Sequence, residues 1–152
     1  MFCITALLTS CSENNLTGPD QKLPEYGLSN NRIQVETYWE GNVLCFKLTN
    51  NTRDTIVNDF HVQFDTSVKI IGWITRPGWI IDQATTDTAK GKFGVKAGPQ
   101  GQPIMPNGGA GIPVGVQIKY TSPVKTERMN RFTWQATRNG EVLKSGSGSI
   151  PR

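Results

Sequence analysis

The sequence predicts an all-β fold, an antiparallel β-sandwich of about eight strands, and three observations predict it. Apolar and polar residues alternate with a period of two through most of residues 32–152, as in strands that bury one face. No segment sustains the 3.6-residue repeat of an amphipathic helix. Turn residues recur between the alternating segments, since the 152 residues include 16 glycines and 9 prolines. Short strands separated by regularly spaced turns are typical of a sandwich.

The individual strands follow from this alternation. The first strand begins at Ile33, and residues 43–49 form a second strand that is apolar on both faces. The clearest alternation runs through residues 112–120, where branched apolar side chains occupy every second position. Further strands are predicted at residues 60–64, 68–74, 79–81, 93–97 and 132–136.

Glycine, proline and asparagine mark the connections. Asn139-Gly140 is typical of a two-residue type I′ hairpin. Pro113 lies inside a predicted strand and cannot donate a ladder hydrogen bond, so an edge position or a β-bulge is expected there. Residues 98–111 are rich in glycine and proline and are predicted to form one long loop, a feature that is often functional.

The length suits one domain with its own core. We expect a signal remnant in residues 1–11, a flexible polar tether in residues 12–31, and one β-sandwich domain in residues 32–152. No apolar run approaches the roughly 18 residues of a membrane-spanning helix, which excludes an integral membrane protein with such helices.

The N-terminal apolar segment ends in Leu8-Thr9-Ser10-Cys11 and then turns polar. This motif resembles the lipobox of bacterial lipoproteins, in which a cysteine that follows small residues is lipidated and becomes the mature N-terminus. The resemblance implies a membrane partner through a lipid anchor at Cys11. It also implies a location in the bacterial cell envelope, at the outer membrane or the periplasmic face. The alternative is an ordinary terminus whose apolar residues pack elsewhere.

Residues suited to catalysis are scarce. His61 is the single histidine and is predicted to point outward from a strand, with no carboxylate at a spacing that would orient it. Cys45 stands among apolar residues and is predicted to be a small buried side chain. Nucleophile-elbow, phosphate-loop and dinucleotide motifs are missing from the sequence. Several aspartates lie near strand ends but lack the spacing of a calcium loop, so they are interpreted as turn caps. We therefore expect no enzyme, no cofactor and no metal.

The tryptophans indicate a possible sugar-binding surface. Trp73 and Trp79 flank the predicted turn Arg76-Pro77-Gly78, and flat aromatic faces can stack on pyranose rings. Trp134 is assigned to the core because it alternates in phase with Phe132. The alternative for Trp73 and Trp79 is that both rings close the core.

Charge is distributed unevenly along the chain. Residues 1–88 carry a net charge of −4 and residues 89–152 a net charge of +8, counted from the sequence. The alternation places Lys90, Lys92 and Lys96 on one outward face, with a basic surface expected if the neighbouring strands share a sheet; Lys119 and Arg131 also point outward. An acidic peptide, an anionic glycan or lipid headgroups would suit such a surface, and a merely solvated face is the alternative. No nucleic acid partner is expected, because no stacking aromatics alternate with these cations.

Two further resemblances concern the domain. Thr49–Thr52, Asn58–Val62 and Pro106–Gly109 resemble segments of the immunoglobulin-like β-sandwich modules of bacterial envelope proteins. The order of segments is also similar to adaptin-ear sandwiches, through Phe46–Asn50, Asp59–Gln63 and Pro123–Lys125 followed by two arginines. The second resemblance implies binding of short acidic or aromatic peptides, with contacts at Lys69, Arg128 and Arg131.

Together these features predict a non-catalytic cell-envelope lipoprotein domain that acts in binding or structural support. The first alternative is a carbohydrate-binding module that uses Trp73 or Trp79. The second is an ear-like binder of acidic peptides on a basic face. A protein, peptide or glycan ligand is compatible with these readings.

Overall fold

The computed structural model describes residues 32–152, apart from the side chain of Ile112. Nine strands in this part of the chain form two antiparallel sheets, which confirms the predicted all-β sandwich. Helical structure among the described residues is limited to short 3-10 turns. The strands are β1 (Ile33–Glu40), β2 (Val43–Asn50), β3 (Asp59–Phe64), β4 (Val68–Thr75), β5 (Trp79–Ile81), β6 (Lys92–Ala97), β7 (Gly109–Tyr120), β8 (Arg131–Arg138) and β9 (Glu141–Ser149).

The strand order is that of an immunoglobulin-like sandwich with one insertion. One sheet has the order β1-β2-β7-β4, and the other has the order β5-β6-β3-β8-β9. An immunoglobulin sandwich pairs its first, second, fifth and fourth strands in one sheet and its third, sixth and seventh in the other. The present chain has this arrangement when β5 and β6 are taken as an added strand pair after the fourth strand. The added pair widens the second sheet beyond β3.

Aromatic side chains from both sheets fill the core. Phe46 of β2 meets Phe132 of β8 edge-on, with ring centroids 5.2 Å apart. Phe60 and Phe64 of β3 lie 5.9 and 6.2 Å from the same Phe46 ring. These residues occupy inward positions of the alternation, and all four are buried. The core therefore joins the two sheets through one aromatic cluster.

The predicted turn and bulge are confirmed. Asn139 and Gly140 have φ values of 51° and 87° and connect β8 to β9, as a type I′ hairpin requires. Phe46 pairs with Val114 and Leu48 pairs with Gly111, so two residues of β7 oppose the single residue Lys47. This β-bulge contains Pro113, because a bulge tolerates a residue without a backbone N–H.

The predicted loop 98–111 is shorter than expected and is held in place. Strand β7 already begins at Gly109. Ile104 is buried in the core and forms an isolated bridge with Val57. The side-chain amide of Asn50 donates to the carbonyl oxygen of Ile104 at 3.0 Å. One buried apolar residue such as Ile104 makes no periodic pattern, so the sequence predicts the whole segment as an irregular loop.

The predicted signal remnant at residues 1–11, with Cys11, and the tether at residues 12–31 lie outside the described residues. Among residues 32–152, none of the helical segments has the length and apolar character needed to cross a membrane.

Candidate functional site

A groove of about 630 Å³ crosses the outer face of the five-stranded sheet. Because Phe60, Val62 and Phe64 of β3 point into the core, the alternate residues of that strand point outward. The same phase on β8 turns its hydroxyl and amide side chains to the same face. The polar residues of the groove are His61, Gln63, Thr85, Lys92, Thr133, Gln135, Ser145 and Ser147.

One wall of the groove is β9, which carries only small side chains at this point. Gly146 and Gly148 face the core, where the rings of Trp134 and Phe132 occupy the space that a side chain would need. A Cβ at Gly146 would lie 2.7 Å from Cζ2 of Trp134. The outward residues Ser145 and Ser147 are short, so the groove stays open toward this edge of the sheet.

The other wall is the segment that links β5 to β6. Asp82 caps a 3-10 turn, Gln83–Thr85, by accepting from the backbone N–H of Ala84 at 3.3 Å. The Thr85 hydroxyl donates to the other carboxylate oxygen of Asp82 at 2.9 Å. This turn lies directly on β6, because a Cβ at Gly94 would collide with the Thr85 hydroxyl. The missing side chain at Gly94 thus lets the segment fold over the sheet.

His61 and Asp82 lie where the segment meets the sheet. His61 Nε2 is 3.8 Å from Asp82 Oδ2, and Lys96 Nζ is 3.5 Å from Asp82 Oδ1. Burial lowers the pKa of His61, although the charges of Asp82 and Asp59 oppose the change. Burial would raise the pKa of Asp82, but hydrogen bonds from Thr85 and Ala84 and the charge of Lys96 outweigh it and lower the pKa. The site therefore contains a neutral imidazole beside an ionised carboxylate at neutral pH.

A second depression of about 490 Å³ adjoins the groove beyond the turn and shares His61, Ala84 and Thr85 with it. Its lining includes Asp82 and a second carboxylate, Asp59, which accepts from the Thr137 hydroxyl at 2.9 Å and from the Gly140 backbone N–H at 3.0 Å. These bonds tie Asp59 to the β8–β9 hairpin. The carboxylate is therefore engaged in holding the turn.

The groove is lined by hydrogen-bonding groups. Its floor offers amides, hydroxyls and an imidazole Nε2 that is buried and has no hydrogen-bond partner among the described residues. The 3.8 Å between His61 Nε2 and Asp82 Oδ2 is longer than a hydrogen bond. Within residues 32–152, no three ligating side chains come together in a group that could hold a metal ion.

The two tryptophans predicted as a sugar platform lie in different environments. Trp79 is only 3% exposed, belongs to the core and donates from Nε1 to the carbonyl oxygen of Gln102 at 2.9 Å. Its ring faces are occupied by packing. Trp73 is 46% exposed on β4, with its ring centroid 5.5 Å from that of Phe93. Trp73 is therefore the ring that a ligand could reach.

The predicted basic surface is divided between the sheets. Lys92 and Lys96 on β6 and Arg131 on β8 belong to the five-stranded sheet, whereas Lys119 on β7 belongs to the four-stranded sheet. Lys96 pairs with Asp82, and Lys90 lies 3.6 Å from Asp87. The cations beside the groove are thus partly neutralised, and Lys119 cannot join them on one sheet.

The three residues implied by the ear resemblance do not share one sheet. Lys69 on β4 is the cross-strand neighbour of Lys119 on β7 in the four-stranded sheet. Arg131 lies on β8 in the other sheet. Arg128 lies just before β8, and its Nε is 2.7 Å from Asp65 Oδ2. Lys69 and Arg131 therefore belong to different sheets.

Cys45 is buried, as predicted, but it does not belong to the core cluster. It pairs with Tyr38 on β1 and Gly115 on β7, on the face opposite to Leu44 and Phe46. Burial raises the pKa of the Cys45 thiol, and the nearby carboxylate of Glu40 raises it further. A protonated, covered thiol is a poor nucleophile.

The sequence alternation predicts which side chains of β3 and β8 point outward into the groove. The outward phase of His61 and Gln63 was readable, and the same phase holds for Thr133 and Gln135. Their adjacency depends on the pairing of β3 with β8, which are separated by about half of the chain. No sequence pattern predicts that Thr85 lies in the groove, because its place over the sheet depends on the lack of a side chain at Gly94.

No protein-family model matches the chain, and no curated protein matches it. Among solved structures, the chain is similar to the sixth cohesin of scaffoldin B from Acetivibrio cellulolyticus, solved in complex with a Cel5 dockerin. The TM-score is 0.43 and the identity 15%, over 78% of this chain and 86% of that chain. It is also similar to an uncharacterized protein from Nocardia farcinica with an immunoglobulin-like fold, with a TM-score of 0.44 and 11% identity over 79% of this chain and 98% of that chain.

Proposed function

We propose that this chain is a non-catalytic binding domain that takes its ligand in the groove of the five-stranded sheet. The observation that carries the proposal is the lining of the groove, where uncharged amides and hydroxyls converge without a nucleophile and base in contact. Ligand sites of binding proteins typically combine a preformed depression with a few polar groups that fix orientation.

The ligand class that we propose is a neutral glycan. Gln135 offers a donor and an acceptor, and Thr133, Ser145 and Ser147 add hydroxyls. The amide nitrogen of Gln63 already donates to the carbonyl oxygens of Phe64 at 3.0 Å and Lys90 at 3.5 Å, so Gln63 offers its acceptor oxygen. Sugar hydroxyls also donate and accept, so the two sets of groups match. Lys92 is the single cation of the groove lining. The open edge at β9 leaves room for a chain longer than the groove.

A glycan array with the purified domain tests this proposal. Gln63→Ala and Gln135→Ala should each weaken retention by up to about tenfold, the effect of one lost hydrogen bond. Lys119→Ala is the matched control, because Lys119 is exposed on the other sheet and should leave retention unchanged. Retention that survives both glutamine substitutions, or no retention on any glycan, would contradict the proposal.

We also propose that the domain belongs to the bacterial cell envelope and is held there through Cys11, with residues 12–31 as a tether. The Leu8-Thr9-Ser10-Cys11 motif supports this. The test is the intact mass of the N-terminal peptide recovered from membranes of a bacterial host, with any upstream codons restored. A diacylglyceryl group on Cys11 is expected. An unmodified chain that retains Met1–Ser10 would overturn the anchor and leave the groove proposal standing.

A second candidate ligand is an extended acidic peptide along the edge of β4. This strand has a neighbour on one side only, β7, and exposes Ile71, Trp73 and Ile74 at 61%, 46% and 56%. Exposed apolar edge strands can pair with an added strand. Lys69 and its cross-strand partner Lys119 place two cations beside this strip, which favours an acidic partner.

The two candidates respond differently to substitution and salt. Trp73→Ala should abolish peptide binding and leave glycan retention unchanged, since Trp73 is not part of the groove. Peptide binding should also weaken as salt rises, because exposed charges are screened over about 10 Å at moderate ionic strength. Salt-independent peptide binding would contradict the role of Lys69 and Lys119.

A further inference from the structure

Arg76 occupies the place where the pairing between β4 and β7 stops. The last pair of the two strands is Thr75 with Val114, and Pro77 and Gly78 then turn the chain away toward β5. Strand β7 continues back to Gly109 with a partner only on the β2 side. The side chain of Arg76 lies against Gly111 in the space that β4 leaves open.

The guanidinium of Arg76 has an unused donor. Its Nη1 is buried and has no hydrogen-bond partner among the described residues. A Cβ at Gly111 would collide with Nη1, so this glycine makes the position of the guanidinium possible. Arginine stays charged at every physiological pH. A buried, charged donor without an acceptor is costly, and an incoming acceptor would relieve that cost.

A depression of about 480 Å³ opens next to this donor. Its lining is Lys47, Arg76, Pro77, Ala110 and Gly111, so both charged residues are cations and no carboxylate is present. Lys47 is exposed at the β-bulge of β2. Its cross-strand partner Glu36 forms no ion pair with it, and neither cation has an ion-pair partner within residues 32–152.

We propose that Arg76 and Lys47 form a binding site for an oxyanion, the carboxylate or phosphate group of a ligand. The guanidinium presents parallel N–H groups that match two oxygens of either group, and the lysine adds a point charge. This site belongs to the sheet opposite the groove. It is therefore independent of the proposed glycan ligand.

The test is an NMR titration of the whole chain with sodium phosphate, sodium acetate and sodium chloride at matched ionic strength. We expect saturable shifts of the Arg76 Nε–H signal and of the Ala110 and Gly111 amides with phosphate or acetate, and none that saturate with chloride. The anion that binds more tightly identifies the source as a phosphate or a carboxylate ligand.

Three variants separate the site from general charge effects. Lys47→Met should weaken binding by about tenfold through the loss of one charge-assisted contact. Gly111→Ala keeps every charge but displaces the guanidinium, so it should also weaken binding. Lys125→Met is the control, because it removes an exposed lysine outside the depression and should change nothing.

Two results would overturn the proposal. One is a chloride titration with the same saturable shifts as phosphate and acetate. The other is oxyanion binding that is equally strong in Lys47→Met and Gly111→Ala. Lys47 is exposed, so the first variant decides the question even if Gly111→Ala does not fold. Neither result affects glycan retention in the groove.

Discussion

His61 links the protonation of one side chain to the stability of the domain. Its pKa is lowered by burial, so the unfolded chain binds the proton more readily than the folded chain. The free energy of unfolding should therefore rise with pH below about 6.5, the usual pKa of histidine, and level off above it. His61→Gln should flatten this dependence in urea unfolding between about pH 5 and pH 8. An unchanged slope in the variant would assign the dependence to other groups.

Asp65 affects the stability of the domain in the acidic pH range. The backbone N–H of Ser67, which donates to Asp65 Oδ1 at 2.9 Å, is the main cause of its lowered pKa, and the charge of Arg128 adds to it. A carboxyl whose pKa is lowered in the fold stabilises the protein above its unfolded pKa of about 3.9, and this stability is lost as the pH falls through the folded pKa.

Asp65→Asn should therefore flatten the loss of stability in acid, measured by thermal unfolding between about pH 2 and pH 6. Arg128→Met should flatten it less, because the backbone hydrogen bond remains. A larger effect from Arg128→Met would show that the charge of Arg128 lowers the pKa of Asp65 more than the backbone N–H of Ser67 does.

At the scale of the elements, strand β9 depends on its glycines. Gly146→Ala would place a Cβ against the ring of Trp134, which is a buried core residue. The ring or the strand has to shift, and overpacking of this kind costs about 1–3 kcal/mol of unfolding free energy. Ser147→Ala is the matched control, since Ser147 points to the solvent side and should change stability by less than about 0.5 kcal/mol. Urea unfolding of the three proteins measures both values, and equal stabilities would contradict the packing of Trp134 on β9.

The predictability of each element from the sequence depends on how local its cause is. The β8–β9 hairpin was predicted because Asn139 and Gly140 alone determine its backbone. The wall at residues 82–86 was not, because no sequence pattern shows that the Thr86 hydroxyl donates to the carbonyl oxygen of Gly94 and accepts from its backbone N–H. The bulge at Pro113 was predicted as an irregularity, while its position opposite Lys47 required the register of β2 and β7.

At the scale of the whole molecule, the aromatic cluster decides stability. Phe46 is fully buried and contacts three other phenylalanine rings. Phe46→Ala should cost about 3–5 kcal/mol, a large part of the 5–15 kcal/mol typical of a domain. Val124→Ala, at an exposed site, should cost little. Chemical denaturation followed by tryptophan fluorescence measures the difference, and a small loss in Phe46→Ala would show that the sheets are held together elsewhere.

The outward lysines of the whole molecule are divided between its two sheets. Alternation showed that Lys92, Lys96 and Lys119 point outward, but it could not assign strands to sheets. Strand β6 joined β3, and β7 joined β2, so the expected basic surface was separated into two parts. The β-sandwich was readable from the number and spacing of strands, whereas the insertion of β5 and β6 was not.

The central place of β7 has a consequence for the order of folding. This strand lies between β2 and β4, so the four-stranded sheet cannot form until residues 109–120 have been synthesised. The five-stranded sheet likewise cannot form until β8 has been synthesised, because β8 lies between β3 and β9. Contacts so distant in sequence form slowly, in milliseconds to seconds for sandwiches of this kind. A growing chain therefore completes neither sheet before residues 109–120 have been synthesised, and the five-stranded sheet only once β9 is present.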